Sequence, residues 1–228
     1  MNNINHKKDI VPKKVLYASL IITSVLGIAM ALSGITHGIF EILQGFKPAN
    51  GSIIQAISPE FQRWENGEEA FTLIRNFLIT GILAVCISII IIIWSVGFVH
   101  KNYGRTVFLA LFILLTLVGG GLGFIIFYLL TWAYATNINK PLNWWEKILS
   151  PRIIKGLSKA WLLLLIITIL FFITGLTVSV FGLPGTTNQD TILTVCWSLL
   201  LASLVLLNFT YISGFAYDIR NKSKPDLS

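Results

Sequence analysis

The sequence predicts an all-α integral membrane protein: a bundle of four transmembrane helices plus a glycine-centred re-entrant hairpin, with five transmembrane helices as the alternative. Three observations predict it. The 228 residues are 55% hydrophobic and only 12% charged, with a mean hydropathy of +0.78; soluble domains carry about 25% charge, so this much apolar surface calls for lipid as its solvent. Four runs, residues 15–40, 77–99, 160–181 and 192–215, are continuous and apolar, and about 20 such residues cross the ~30 Å hydrocarbon core of a bilayer. The third observation is a charge-free stretch of 34 residues, Thr106 to Asn139, broken at its middle by Gly119-Gly120-Gly121-Leu122-Gly123. No connecting segment is long enough for a separate soluble domain, so residues 1–228 read as one membrane domain.

The first element follows a basic tail, residues 1–14, that holds Lys7, Lys8, Lys13 and Lys14. Basic residues, an apolar run and Ala29-Met30-Ala31 together imitate a signal peptide with its cleavage box. The apolar pattern continues to Leu43, so the expectation is an uncleaved first span. Within it Ser24, Gly27, Ala31, Gly34, Gly38, Glu41 and Gly45 recur at alternating spacings of three and four. That period keeps them on one helix face, and small residues there let a neighbouring helix approach closely. Glu41 therefore points at protein rather than lipid.

A carboxylate at a helix interface needs a partner, because an unpaired buried charge is costly. His37 lies four residues earlier, Gln44 three later, and Arg75 and Asn76 stand at the mouth of the second span, at similar depth. His37, Glu41, Gln44, Arg75 and Asn76 thus form the candidate functional cluster. Its plainest role is a Glu41–Arg75 clamp between the first two spans. The others are a proton or cation relay and an acid–base pair of His37 and Glu41, with Arg75 stabilising an anion. The loop between these spans, residues 46–70, holds Ile53, Ile54, Ile57, Phe61 and Trp64 at helical spacing, interrupted by Pro59. It reads as two short amphipathic pieces on the outer surface.

The split run, residues 107–135, decides the topology. Each twelve-residue arm makes ~18 Å of helix, too short to cross alone. Gly119, Gly120, Gly121 and Gly123 supply the turn between them. If the run re-enters, fourteen basic residues fall inside and three outside; if it crosses fully, the best orientation gives eleven and six. The first assignment obeys the positive-inside rule better and puts both termini in the cytoplasm of a cell-membrane protein. It also leaves Glu60, Glu65, Glu68, Glu69 and Asp190 outside. Irregular backbone at that depth must be shielded by the other four helices. The alternative is one glycine-kinked helix, the glycines serving close packing.

After the split run, residues 137–159 mix Trp144, Trp145, Ile148, Ile153 and Ile154 with Lys147, Arg152 and Lys155, the expected chemistry of anchoring at a headgroup layer. In the last two spans Thr168, Thr174 and Thr177 can bond their own helix backbone, and Asn208 suits an interhelical hydrogen bond. The basic tail 218–228 closes the chain. Cys86 and Cys196 both fall inside spans, as small packing residues. The three histidines, His6, His37 and His100, are dispersed, and His37 with Glu41 gives two ligands where closed metal sites want about four. No metal and no cofactor is expected. No nucleotide-binding, metalloprotease or nucleophile-elbow motif occurs, and the net charge of +7 reports orientation rather than nucleic-acid binding. The expected partners are the lipid bilayer and a membrane-protein partner or second copy.

The segments His37-Gly38-Ile39-Phe40-Glu41-Ile42-Leu43-Gln44-Gly45, Gly119-Gly120-Gly121-Leu122-Gly123 and Asn139-Lys140-Pro141-Leu142-Asn143-Trp144-Trp145 resemble small bacterial multi-pass membrane proteins of unassigned function. The resemblance covers most of the chain and implies no catalytic residue. From the scarcity of charged interior groups, the leading expectation is a non-enzymatic accessory or assembly protein. The second is a small-solute or ion transporter or channel component that uses the 107–135 hairpin, since such a turn brings backbone groups to bilayer depth. The third is an intramembrane lipid-modifying enzyme built on His37, Glu41 and Arg75.

Overall fold

The computed structural model describes residues 17–60 and 67–222. The predicted features at His6, Lys7, Lys8, Lys13, Lys14, Phe61, Trp64 and Glu65 lie outside the described residues. Four helices are long and apolar enough to cross a membrane: α1 (Tyr17–Gln44), α2 (Phe77–Gly97), α6 (Pro151–Phe181) and α7 (Gln189–Lys222). Between α2 and α6 lie three shorter helices, α3 (Gly104–Thr116), α4 (Ile125–Ala135) and α5 (Asn143–Ile148). The apolar runs understate α6 and α7, which continue through Pro151–Lys159 and to Lys222. Hydrocarbon limits the apolar run, whereas a helix extends until a cap ends it. For α6 that start is Pro151 in the first turn, with the Ser150 hydroxyl accepting from Ile153 N–H at 3.4 Å, and Gly182 (φ 73°) follows its last residue.

The helical reading of the outer loop fails. The piece after Gly51 is not a helix but strand β1 (Ile53–Ile57), paired antiparallel with β2 (Glu68–Phe71). Ile53 is 53% exposed and its neighbour Ile54 is 4% exposed, the two-residue alternation of a pleated strand. Three isoleucines in five residues favour that state, since β-branched side chains pack well on a sheet. Three apolar matches to a helical period could not outweigh a pairing partner that begins at Glu68.

Two ends of the bundle are defined by contacts. At one end Asp218 of α7 accepts the backbone N–H groups of Ala18 and Ser19 at 2.8 and 3.0 Å, capping the first turn of α1. At the same end Arg220 reaches Ser158 of α6 at 3.1 Å, and Trp145 packs on Phe215 with ring centres 5.2 Å apart. Arg105, at the start of α3, donates to the carbonyls of Thr136 and Ile138, just past α4, at 3.2 and 2.6 Å. Asn139 donates to His100 O at 2.7 Å. So α3 and α4 form an antiparallel pair whose open end lies beside the end of α2. The opposite end of the bundle holds β1, β2, the start of α2 and the glycine turn.

The face of α1 carrying the small residues lies on α2. The Ser24 hydroxyl donates to Ser95 O at 2.6 Å. Gly27 abuts Ser95, Ala31 is fully buried, and Gly34 abuts Ser88 and Leu115. At Gly38 the contact is with backbone, and a Cβ there would fall 2.7 Å from the Gly81 carbonyl. Along the same helix α3 runs parallel: Phe108 touches Gly27, Leu115 touches Gly34, and Gly119 lies against Glu41. The α3–α4 pair is locked in by the stacked rings of Phe112 and Tyr128, 4.3 Å apart. Asn208 makes its expected interhelical bond, accepting from the Tyr134 hydroxyl at 2.7 Å. Thr168 and Thr177 donate to carbonyls four residues back.

Candidate functional site

The glycine turn is tied to a neighbouring segment rather than wrapped by the other helices alone. Thr72 and Val118 form a bridge. Leu73 N–H donates to Leu117 O and Gly119 N–H to Phe71 O, each at 2.9 Å, and the Thr80 hydroxyl donates to Val118 O at 2.8 Å. These bonds satisfy backbone groups that lipid could not. They also place the turn beside Thr72 and Thr80, level with the start of α2. Gly119 (φ 94°) and Gly121 (φ 85°) take left-handed conformations that a residue with a Cβ rarely adopts.

Two carboxylates and an imidazole meet at this turn. Glu41 is fully buried, and neither of its carboxylate oxygens has a hydrogen-bond partner. It lies directly over Gly119, where a Cβ would collide with the carboxylate. His37, 2% exposed, lies over Gly121, whose added Cβ would fall 2.9 Å from Nε2. The imidazole contacts the Ser33 carbonyl through Nδ1 at 3.0 Å and Glu68 Oε2 through Nε2 at 2.9 Å. The Ser179 hydroxyl, from the last turns of α6, donates to Glu68 Oε1. An aromatic edge closes the group, with Phe124 at 5.9 Å from the His37 ring.

The chemistry follows from counting protons. Nδ1 faces a carbonyl, which can only accept, so Nδ1 carries hydrogen. The Nε2–Glu68 contact then needs one further proton, held on the imidazole or on the carboxyl. His37 and Glu68 thus share a single transferable proton. The order hydroxyl, carboxylate, imidazole differs from that of a hydrolytic triad, in which the imidazole must stand between the other two.

The remaining predicted site residues are placed elsewhere. Gln44 donates to the carbonyls of Gln55 and Ala56, both at 3.0 Å, and ties β1 to the end of α1. Asn76 caps α2, accepting from Ile79 N–H at 3.2 Å. Arg75 is exposed, and the Glu41–Arg75 clamp is not formed. The reason is that Glu41 turns inward to the glycine turn, while the backbone of Arg75 is held at the edge by Ala49 N–H at 3.1 Å. Glu68 and Ser179 were missed. Taking the outer loop as a surface helix gave its glutamates to solvent; paired as a strand, the same loop returns Glu68 to α1.

The cluster separates two cavities. One, of about 410 Å³, is lined by the glycine turn, β2, α6 and α7, including Phe124, Trp197 and Leu200. The other, of about 180 Å³, lies between α1 and α6. His37, Glu68, Leu176 and Ser179 border both. No protein-family model, curated protein or solved structure matches this chain.

Proposed function

We propose that this chain is a proton-handling component of a small-solute or ion transport system, with its working centre at the glycine turn. The α3–α4 pair enters and leaves the membrane from the cytoplasmic side in this reading, and both termini are cytoplasmic. The charge distribution supports that orientation: Lys101, Arg105, Lys140, Lys147, Arg152, Lys155, Lys159, Arg220 and Lys222 all belong to the bundle end where α1 begins and α7 finishes, as the positive-inside rule asks.

The observation that carries the reading is Glu41. A fully buried carboxylate with both oxygens unpartnered costs several kcal/mol if it is charged, even after relaxation, so it holds a proton or faces a cation. Beside it His37 and Glu68 share one more proton. Ionisable groups packed inside a membrane bundle are the usual elements of proton relays. An accessory role leaves the Glu41 carboxyl without a purpose, and the lipid-enzyme reading loses its anion-stabilising Arg75, which is exposed.

Reconstitution in liposomes with an internal pH dye tests this. Under an imposed inside-negative potential the protein should admit protons, and Glu41→Gln, which keeps size and shape, should reduce entry to that of empty liposomes while remaining monodisperse. Equal entry with Glu41→Gln would overturn the reading and leave an accessory role.

A further inference from the structure

We infer that the 410 Å³ cleft is the cargo site and that it takes an amphipathic cation; this inference rests on the transport reading above. The volume lies within the range of small-molecule sites, about 300–1,000 Å³. The lining divides into two chemistries. One wall carries the negative charge of Glu69, exposed at the rim; the Glu68–His37 pair behind it shares its proton and is neutral overall. The other wall is apolar and aromatic, made by Leu122, Phe124, Leu176, Trp197 and Leu200. Trp197 is 47% exposed and lines the cleft.

No lysine or arginine lines the cleft among the described residues. His37 in the lining is already engaged by Glu68, so an anion would meet chiefly the Glu69 carboxylate and aromatic ring faces, both repulsive to it. A cation gains from Glu69 and from the aromatic quadrupole, the latter an attraction of about 0.5–2 kcal/mol depending on desolvation. A small hydrated ion would leave the apolar wall unused. The occupant that uses both walls is an organic cation with an apolar body.

The decisive comparison uses two probes of nearly equal shape and opposite charge, tetraphenylphosphonium and tetraphenylborate. Their equilibrium binding to the full chain in nanodiscs is measured against empty nanodiscs. The phosphonium should bind saturably and the borate should show only the empty-nanodisc signal. Glu69→Gln, at an exposed position, should weaken phosphonium binding about fivefold, the upper range for a solvent-facing charge. Leu122→Trp fills the cleft from the turn and should abolish binding while the protein stays monodisperse. Equal binding of both probes, or phosphonium binding indifferent to both substitutions, overturns the assignment. Saturable binding without proton entry in the liposome experiment would retain the cleft and remove the transport reading. Proton entry without phosphonium binding would do the reverse.

Discussion

Gly119 is the residue on which the site depends most directly. Its φ of 94° and the Glu41 carboxylate over its α-carbon exclude a side chain for two separate reasons. Gly119→Ala should lower thermal stability in detergent by about 1–3 kcal/mol for the backbone strain alone, with the collision adding to it. Pairing it with Glu41→Ala should recover the collision part and leave the strain, a non-additivity that adjacent residues produce. Simple additivity of the two substitutions would mean that Glu41 does not lie on Gly119. His37 and Glu68 form the second residue-scale unit. Because one proton serves both, His37→Gln and Glu68→Gln should each lower stability, and the double substitution should cost less than their sum. An additive result would separate them. His37 and Glu41 were legible as inward-facing from the three-and-four spacing of small residues in α1. Glu68 was not, because a strand that folds back thirty-one positions later leaves no trace in the period of α1.

Among the elements, α1 shows how a membrane helix is fastened at its ends rather than only along its face. Its first turn is capped by a carboxylate from α7, Asp218, which accepts two N–H groups that would otherwise be orphaned. Asp218→Ala should cost about 1–2 kcal/mol, the range of a lost helix cap, read as a lower unfolding midpoint in detergent; Asp218→Asn, which keeps one acceptor oxygen, should lose less. An alanine variant as stable as the parent would deny the cap. The glycine turn is the other element whose character depends on a neighbour. Its glycines announced a break in the charge-free run, and two helices do separate there. Its position at the start of α2 follows from the bridge between Thr72 and Val118, in the short segment between β2 and α2.

For the whole molecule, the arrangement of helix ends makes a topological prediction. On a background without Cys86 and Cys196, single cysteines at the exposed positions Asn102, Lys140 and Lys222 should all label from one side of the membrane, and one at Thr187 from the other. Opposite-side labelling of Asn102 and Lys140 would make the split run a fifth span and reverse the orientation of everything after it. The sequence by itself determined the membrane class and the places of the four long helices, because the length and hydropathy of a run are properties of that run alone. It also determined where the charge-free stretch breaks, since clustered glycines remove the backbone restraint locally. Only the tertiary structure decided which polar groups meet: that Glu41 faces a glycine rather than Arg75, that His37 pairs with Glu68, and that Ser179 closes the group. Those pairings depend on distances between four elements at once, and a strand pairing of a few residues was enough to redirect them.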